Sequence, residues 1–345
     1  AGAISERKHS GMYTILLAGL CTPVWFYSVV FWEHTITLCF SVWALWFCLR
    51  FLSTQSRRAL VVGSVLSGLS AWFRDDQYLF CIVLASAVAI AARAERFKTL
   101  ALAGLAMLVT LSPLWYFQHA TLGTALGYHI SCSLNQETGG GPVSLSMILE
   151  YLRPRPNVVY NLFFAACLSK PVSLAIGAPF FLLFLLRPAL SENAFGAAVP
   201  IAGLLASAAS VCVLAGFLGT PIPIVWLLHS NGLFAAAPVL IFSGFSLRQA
   251  GVTERGARWL WAVGLGYAAL YTLAAPEISS IGVHWGNRFL LVLYPFLSVL
   301  AAVNLAEWFS TADRKNLWRH GLIVLCLALS FLTQVYSVDL LRRQM

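Results

Sequence analysis

The sequence predicts an all-α, polytopic integral membrane protein of about eleven transmembrane helices. Three observations predict it. Apolar residues make up 59% of the chain and charged residues only 10%, a balance far from that of soluble domains. They fall into runs of about 20 residues, the length an α-helix needs to cross a hydrocarbon core. The basic residues between those runs alternate between rich and poor loops, the pattern that sets the orientation of membrane helices. A mean hydropathy of +0.79 agrees.

The first run, Met12 to Leu49, is broken only by Glu33 beside His34 in "VVFWEHTITLC". It is twice the length of one span, and a charge at the bilayer centre costs roughly 2.5–3.5 kcal/mol. It is therefore read as two helices, 12–31 and 35–52, turning at Trp32–His34. Spans at 59–73 and 78–92 are short and joined by "RDDQ" (74–77), which makes a tight hairpin. A span at 99–117 leads into the longest connection, 118–159. The run 160–186 is too long for one straight helix, and "SKP" (169–171) divides it, since Pro171 suits a helix's first turn. Spans at 194–217, 225–247, 259–275, 289–306 and 320–337 complete one transmembrane domain over 1–345.

Placing the N-terminus in the cytoplasm puts 15 of the 22 basic residues in inner loops and 7 in outer ones. The acids divide 6 to 7, so the whole net charge of +9 lies on the inner side. That charge faces anionic lipid headgroups and implies no nucleic acid partner. Eight scattered cysteines with no C-x-x-C or Cys/His cluster argue against a metal site and a disulfide framework. The polar start "AGAISERKHSG" carries no signal peptide.

In this layout the outer loops gather carboxylates, imidazoles and single cations, so chemistry is expected there. Glu33 and His34 sit in a surface turn. Arg74, Asp75 and Asp76 occupy the hairpin tip, where carboxylates beside an arginine can act as base, divalent-ion ligand or hydroxyl acceptor. The bland reading of the tip stays open: a solvated turn in which Asp starts a helix. Within "EISSIGVHWGNRFLLVLYPFL" (277–297), Arg288 enters a span at headgroup depth beside His284. It either grips a phosphate with its fork or snorkels to lipid. Lys170 offers the same two readings. His229, ahead of the apolar run of "HSNGLFAAAPVL", reads as a structural histidine more readily than a catalytic one. The 118–159 loop holds "SLSMILEYL", an amphipathic helix able to lie in the interface. Its "TGGGP" lacks the Gly-Lys-Ser/Thr of a phosphate loop. The loop serves as a lid over substrate or as a passive connector.

"TPVWFYSVVFWEHT" (22–35), the helix–"FRDD"–helix hairpin, "HSNGLFAAAPVL" and "GVHWGNRFLLVLYPFL" together resemble the GT-C glycosyltransferases of bacterial membranes. More narrowly, the chain resembles relatives of the protein mannosyltransferases and aminoarabinose transferases. The resemblance implies a helical enzyme of the inner membrane with its site facing the periplasm. It also implies a donor sugar carried on polyprenyl phosphate, an outer-loop carboxylate as base, and a glycan, lipid or protein acceptor. In that family the principal carboxylate lies in a first outer loop, ahead of the segment resembling 22–35. Only "AGAISERKHSG" precedes that segment here, so the N-terminal helix pair and its loop are expected to be absent. The principal base is then expected upstream of Ala1, and Asp75, Asp76 and Glu33 are the catalytic candidates within this sequence. His34, Arg74, Lys170, His284 and Arg288 are the substrate-binding ones. No cofactor is evident, and a divalent cation on the carboxylates is an option. The rival expectations are a transporter or lipid flippase, and a non-catalytic membrane subunit.

Overall fold

The computed structural model describes residues 9–30, 33–92, 95–126, 232–245, 254–274, 290–310 and 317–344, with Arg153, Leu162 and Ser207. Among the described residues every element is helical. Three helices, Glu33–Thr54, Arg96–Leu122 and His320–Asp339, are long and apolar enough to cross a membrane. Large apolar side chains such as Ile15, Ile90, Val109 and Phe117 are mostly exposed, as expected of helices that meet lipid rather than water. Apart from Leu162 and Ser207, the expected spans 160–186 and 194–217 lie outside the described residues, as does most of the 118–159 loop. The chain divides into two compact units.

The central unit (Phe31–Val158 with Arg258–Glu277) is built from four helices that pack as hairpins. These are α3 (Glu33–Thr54), α4 (Arg57–Ser70), α5 (Gln77–Ala91) and α6 (Arg96–Leu122), with the larger part of α8 (Glu254–Ala274). Small residues let the backbones approach. A Cβ on Gly63 would stand 3.0 Å from Cys48 Sγ and 3.1 Å from the Ala44 carbonyl, and one on Gly68 would stand 2.9 Å from Thr110 Cβ. Close contact through small residues is how helices associate where no hydrophobic effect drives them together. Pro113 sits inside α6 and cannot bond the Val109 carbonyl, and the Ser112 hydroxyl donates to it instead at 3.1 Å. α6 runs five residues beyond the expected 117 and stops at Gly123, whose left-handed φ of 72° closes the helix through an N–H bond to the His119 carbonyl.

The terminal unit (Ala1–Val30, Val159–Ala257 and Ile278–Met345) corrects two expectations of continuous spans. The expected helix 12–31 is two helices, α1 (Ser10–Leu20) and α2 (Val24–Val29). Pro23 has no N–H for the carbonyl four residues back. Beside the break, the Thr22 hydroxyl donates to the Ala18 carbonyl (2.6 Å) and accepts from the Val24 N–H (3.3 Å). The expected span 225–247 is broken as well. A short α7 (Leu233–Ala236) gives way to a 3-10 segment, Pro238–Phe245. The residue before a proline is pushed out of the helical region, and Ala237 lies at φ −146°, ψ 73°.

That break frees backbone groups in a buried place, and side chains of α9 (Leu293–Ser310) and α10 (Leu317–Gln344) satisfy them. Gln334 Nε2 donates to the Ala236 carbonyl at 2.7 Å, and the Val239 N–H donates to Ser330 Oγ at 3.0 Å. Asn304 Nδ2 donates to the Phe242 carbonyl. An unpaired buried carbonyl carries its full desolvation cost. Gln334→Leu is therefore expected to lower apparent stability in detergent by roughly 1–2 kcal/mol. Thermal unfolding followed by circular dichroism measures it, and an unchanged midpoint would show that water reaches the carbonyl.

Candidate functional site

Two turns of the central unit meet. α4 unwinds after Ser70 through short bonds from Ala71, Trp72 and Phe73 back to residues 68–70, and α5 starts with Gln77 N–H bonded to the Arg74 carbonyl. Residues 71–76 thus form a compact tip. Opposite it α3 begins, with Glu33 and His34 in its first turn, where the partial positive charge of a helix N-terminus favours a carboxylate.

The Arg74 guanidinium joins the two. Its Nε and Nη2 clasp the two carboxylate oxygens of Asp76, each at 3.0 Å, the bidentate arrangement that fixes orientation as well as charge. Its Nη1 reaches Glu33 Oε1 at 3.5 Å and also bonds the ring of His34 through Nε2. His34 Nδ1 stands 3.2 Å from Glu33 Oε1. Arginine only donates and a carboxylate only accepts. A His34 ring nitrogen that faces Arg74 must therefore accept from it, and Nη1 lies against Nε2 and within 3.2 Å of Nδ1.

Burial separates the roles. The side chains of His34, Asp76 and Arg74 are 2%, 12% and 14% exposed, whereas Glu33 is 43% exposed. Burial alone would lower the Arg74 pKa, but the Asp76 carboxylate outweighs it and holds the group above the usual arginine value. Arg74 is a permanent, anchored cation. Asp76 stands at the helix-start position of α5, yet its side chain caps nothing there. The arginine claims it, which overrides the solvated-turn reading of this acid. Glu33 is the carboxylate that an incoming molecule can reach.

A deeper polar layer supports the clasp, and sequence reasoning missed it. Gln77 Nε2 donates to Asp76 Oδ1 at 3.4 Å, and Gln77 Oε1 accepts from Ser41 Oγ at 3.1 Å. The Tyr267 hydroxyl of α8 also hydrogen-bonds Gln77, and the Tyr271 ring lies 5.9 Å from the Tyr267 ring. Gln77, Ser41 and Tyr267 are fully buried. The available signal was spacing: His34, Thr37 and Ser41 recur at helical intervals on α3, and Tyr267 and Tyr271 are one turn apart. Thr37 Oγ1 is buried beside this layer's helix face without a hydrogen-bond partner.

The structure thus brings together four of the expected residues: Glu33, His34, Arg74 and Asp76. Asp75 is half-buried in the same tip, within electrostatic reach of Tyr78. Lys170, His284 and Arg288 lie outside the described residues. Among the described residues no three of His, Cys, Asp and Glu converge as a metal would require. The cation between Asp76 and Glu33 is the guanidinium itself, and a divalent ion would have to displace it. No protein-family description, characterised protein or solved structure matches the chain.

Proposed function

We propose that the chain is a membrane glycosyltransferase of the GT-C kind, moving a sugar from a polyprenyl-phosphate donor to an acceptor at the periplasmic face. The observation that carries this reading is Glu33. It is a reachable carboxylate held by an imidazole and an anchored guanidinium, at the end of an apolar helical unit. In the reaction the acceptor hydroxyl gives its proton to Glu33 as its oxygen attacks the anomeric carbon. The bond from that carbon to the lipid phosphate breaks with inversion, and the phosphate leaves with the bonding pair. A fixed cation, Arg74, stabilises its growing charge. His34 orients Glu33, and Asp76 holds Arg74.

A second reading, a transporter or lipid flippase, draws on the break at Ala237–Pro238. Secondary transporters build midplane sites from discontinuous helices. One experiment separates the two. Full-length protein is reconstituted into proteoliposomes with radiolabelled polyprenyl-phosphate-sugar and candidate acceptors, and both glycoside formation and solute uptake are followed. Label moving from lipid to acceptor is the expected result. Uptake or lipid translocation with the glycosyl phosphate bond intact would replace the first reading by the second.

A further inference from the structure

We infer that Gln77 is a positioning residue of this site, tying the Asp76–Arg74 clasp to α3 and α8 and so fixing where the Arg74 cation stands. The inference rests on the proposed function only for its effect on turnover. Its geometry is independent. Gln77 is 1% exposed, and burying an amide is costly unless its oxygen and both N–H groups are used. Here the oxygen accepts from Ser41, one N–H faces Asp76, and the Tyr267 hydroxyl supplies a further bond. Three separate pieces of chain thus meet at one side chain: mid-α3, the 71–76 tip and α8.

Only an amide meets all three demands. Leucine at position 77 would take a partner from Asp76 and Tyr267 and leave the Ser41 hydroxyl only the Thr37 carbonyl, 2.9 Å away. Glutamate has the same shape but no donor, and it would set a second negative charge against Asp76. Either change loosens the support of the carboxylate that holds Arg74. Tyr267→Phe removes only one of the three ties and keeps the ring, which packs edge-on against Phe80 at 6.1 Å.

The test has two arms on the full-length protein in detergent or proteoliposomes. In the first, phenylglyoxal modification of individual arginines is timed by mass spectrometry. Arg57, whose side chain is 74% exposed, is the internal standard. Arg74 is expected to react slowly in wild type, about tenfold faster in Gln77→Leu, and by a smaller factor in Tyr267→Phe, with Arg57 unchanged. Tyr267→Phe keeps this arm decisive if Gln77→Leu does not fold. An Arg74 rate equal to wild type in the variants overturns the inference. In the second arm, the KM for the lipid donor is expected to rise about tenfold in Gln77→Leu while the acceptor KM and kcat hold. An equal loss of kcat/KM for donor and acceptor would mark a merely structural residue and overturn the positioning role. A wild-type protein that transfers no sugar overturns the proposed function alone, and the modification arm then decides the inference by itself.

Discussion

Arg74→Ala is expected to destabilise the central unit by roughly 3–5 kcal/mol, the range found when one partner of a buried ion pair is removed. The cost comes from what remains. The Asp76 side chain is 12% exposed and spends both oxygens on the guanidinium. Without it a carboxylate stays buried with only the long Gln77 bond. Glu33 contributes little to this sum, because it is half-exposed and its contact with Arg74 is 3.5 Å. Arg74→Lys keeps the charge but loses the fork, and should fall between wild type and alanine. The double change Arg74→Leu with Asp76→Leu removes both charges and should recover most of the stability while leaving no turnover. Apparent melting temperatures of the four proteins in one detergent make the comparison. A wild-type melting point for Arg74→Ala would mean that water screens the pair, and the tip would be the ordinary solvated turn that its sequence allows.

What could be read in the sequence follows from which physical signals are local. The cost of charge in hydrocarbon is local, so Glu33–His34 and "RDDQ" were expected at turns, and the structure places Glu33 and His34 in the first turn of α3 and Arg74–Asp76 just ahead of α5. The two breaks were missed because a 20-residue hydropathy average does not register Thr22-Pro23 or Ala237-Pro238. Both prolines sit among apolar neighbours, and side chains bond backbone groups beside each break. Gln334 lies 98 residues from the carbonyl it satisfies, and nothing in either local stretch announces the pair. The same holds inside the site. Asp76 reads locally as a helix cap, and a tertiary cation overrides that preference. Tyr267 reads as an interfacial or core aromatic, and only its hydroxyl's partner on α5 gives it a role.

Glu33→Gln is expected to reduce sugar transfer by about 10²–10⁴-fold, the usual contribution of a positioned general base, with little change in stability. Glutamine keeps the shape of the side chain, and its amide can still lie against His34 Nδ1, which stands 3.2 Å from Glu33 Oε1. The buried Arg74–Asp76 clasp is untouched. What glutamine cannot do is take a proton from the acceptor hydroxyl, so the loss should fall on kcat and not on the donor KM. Asp76→Asn is the instructive contrast. It weakens the clasp itself, so it should lower the melting temperature and raise the donor KM together. The pair of variants therefore separates a carboxylate that reacts from one that holds. Initial rates with radiolabelled lipid donor, beside melting curves of the same preparations, read both. If Glu33→Gln turns over at the wild-type rate, the base is another outer carboxylate. Glu33 would then be an orienting neighbour of Arg74, and the half-exposed Asp75 the next group to test.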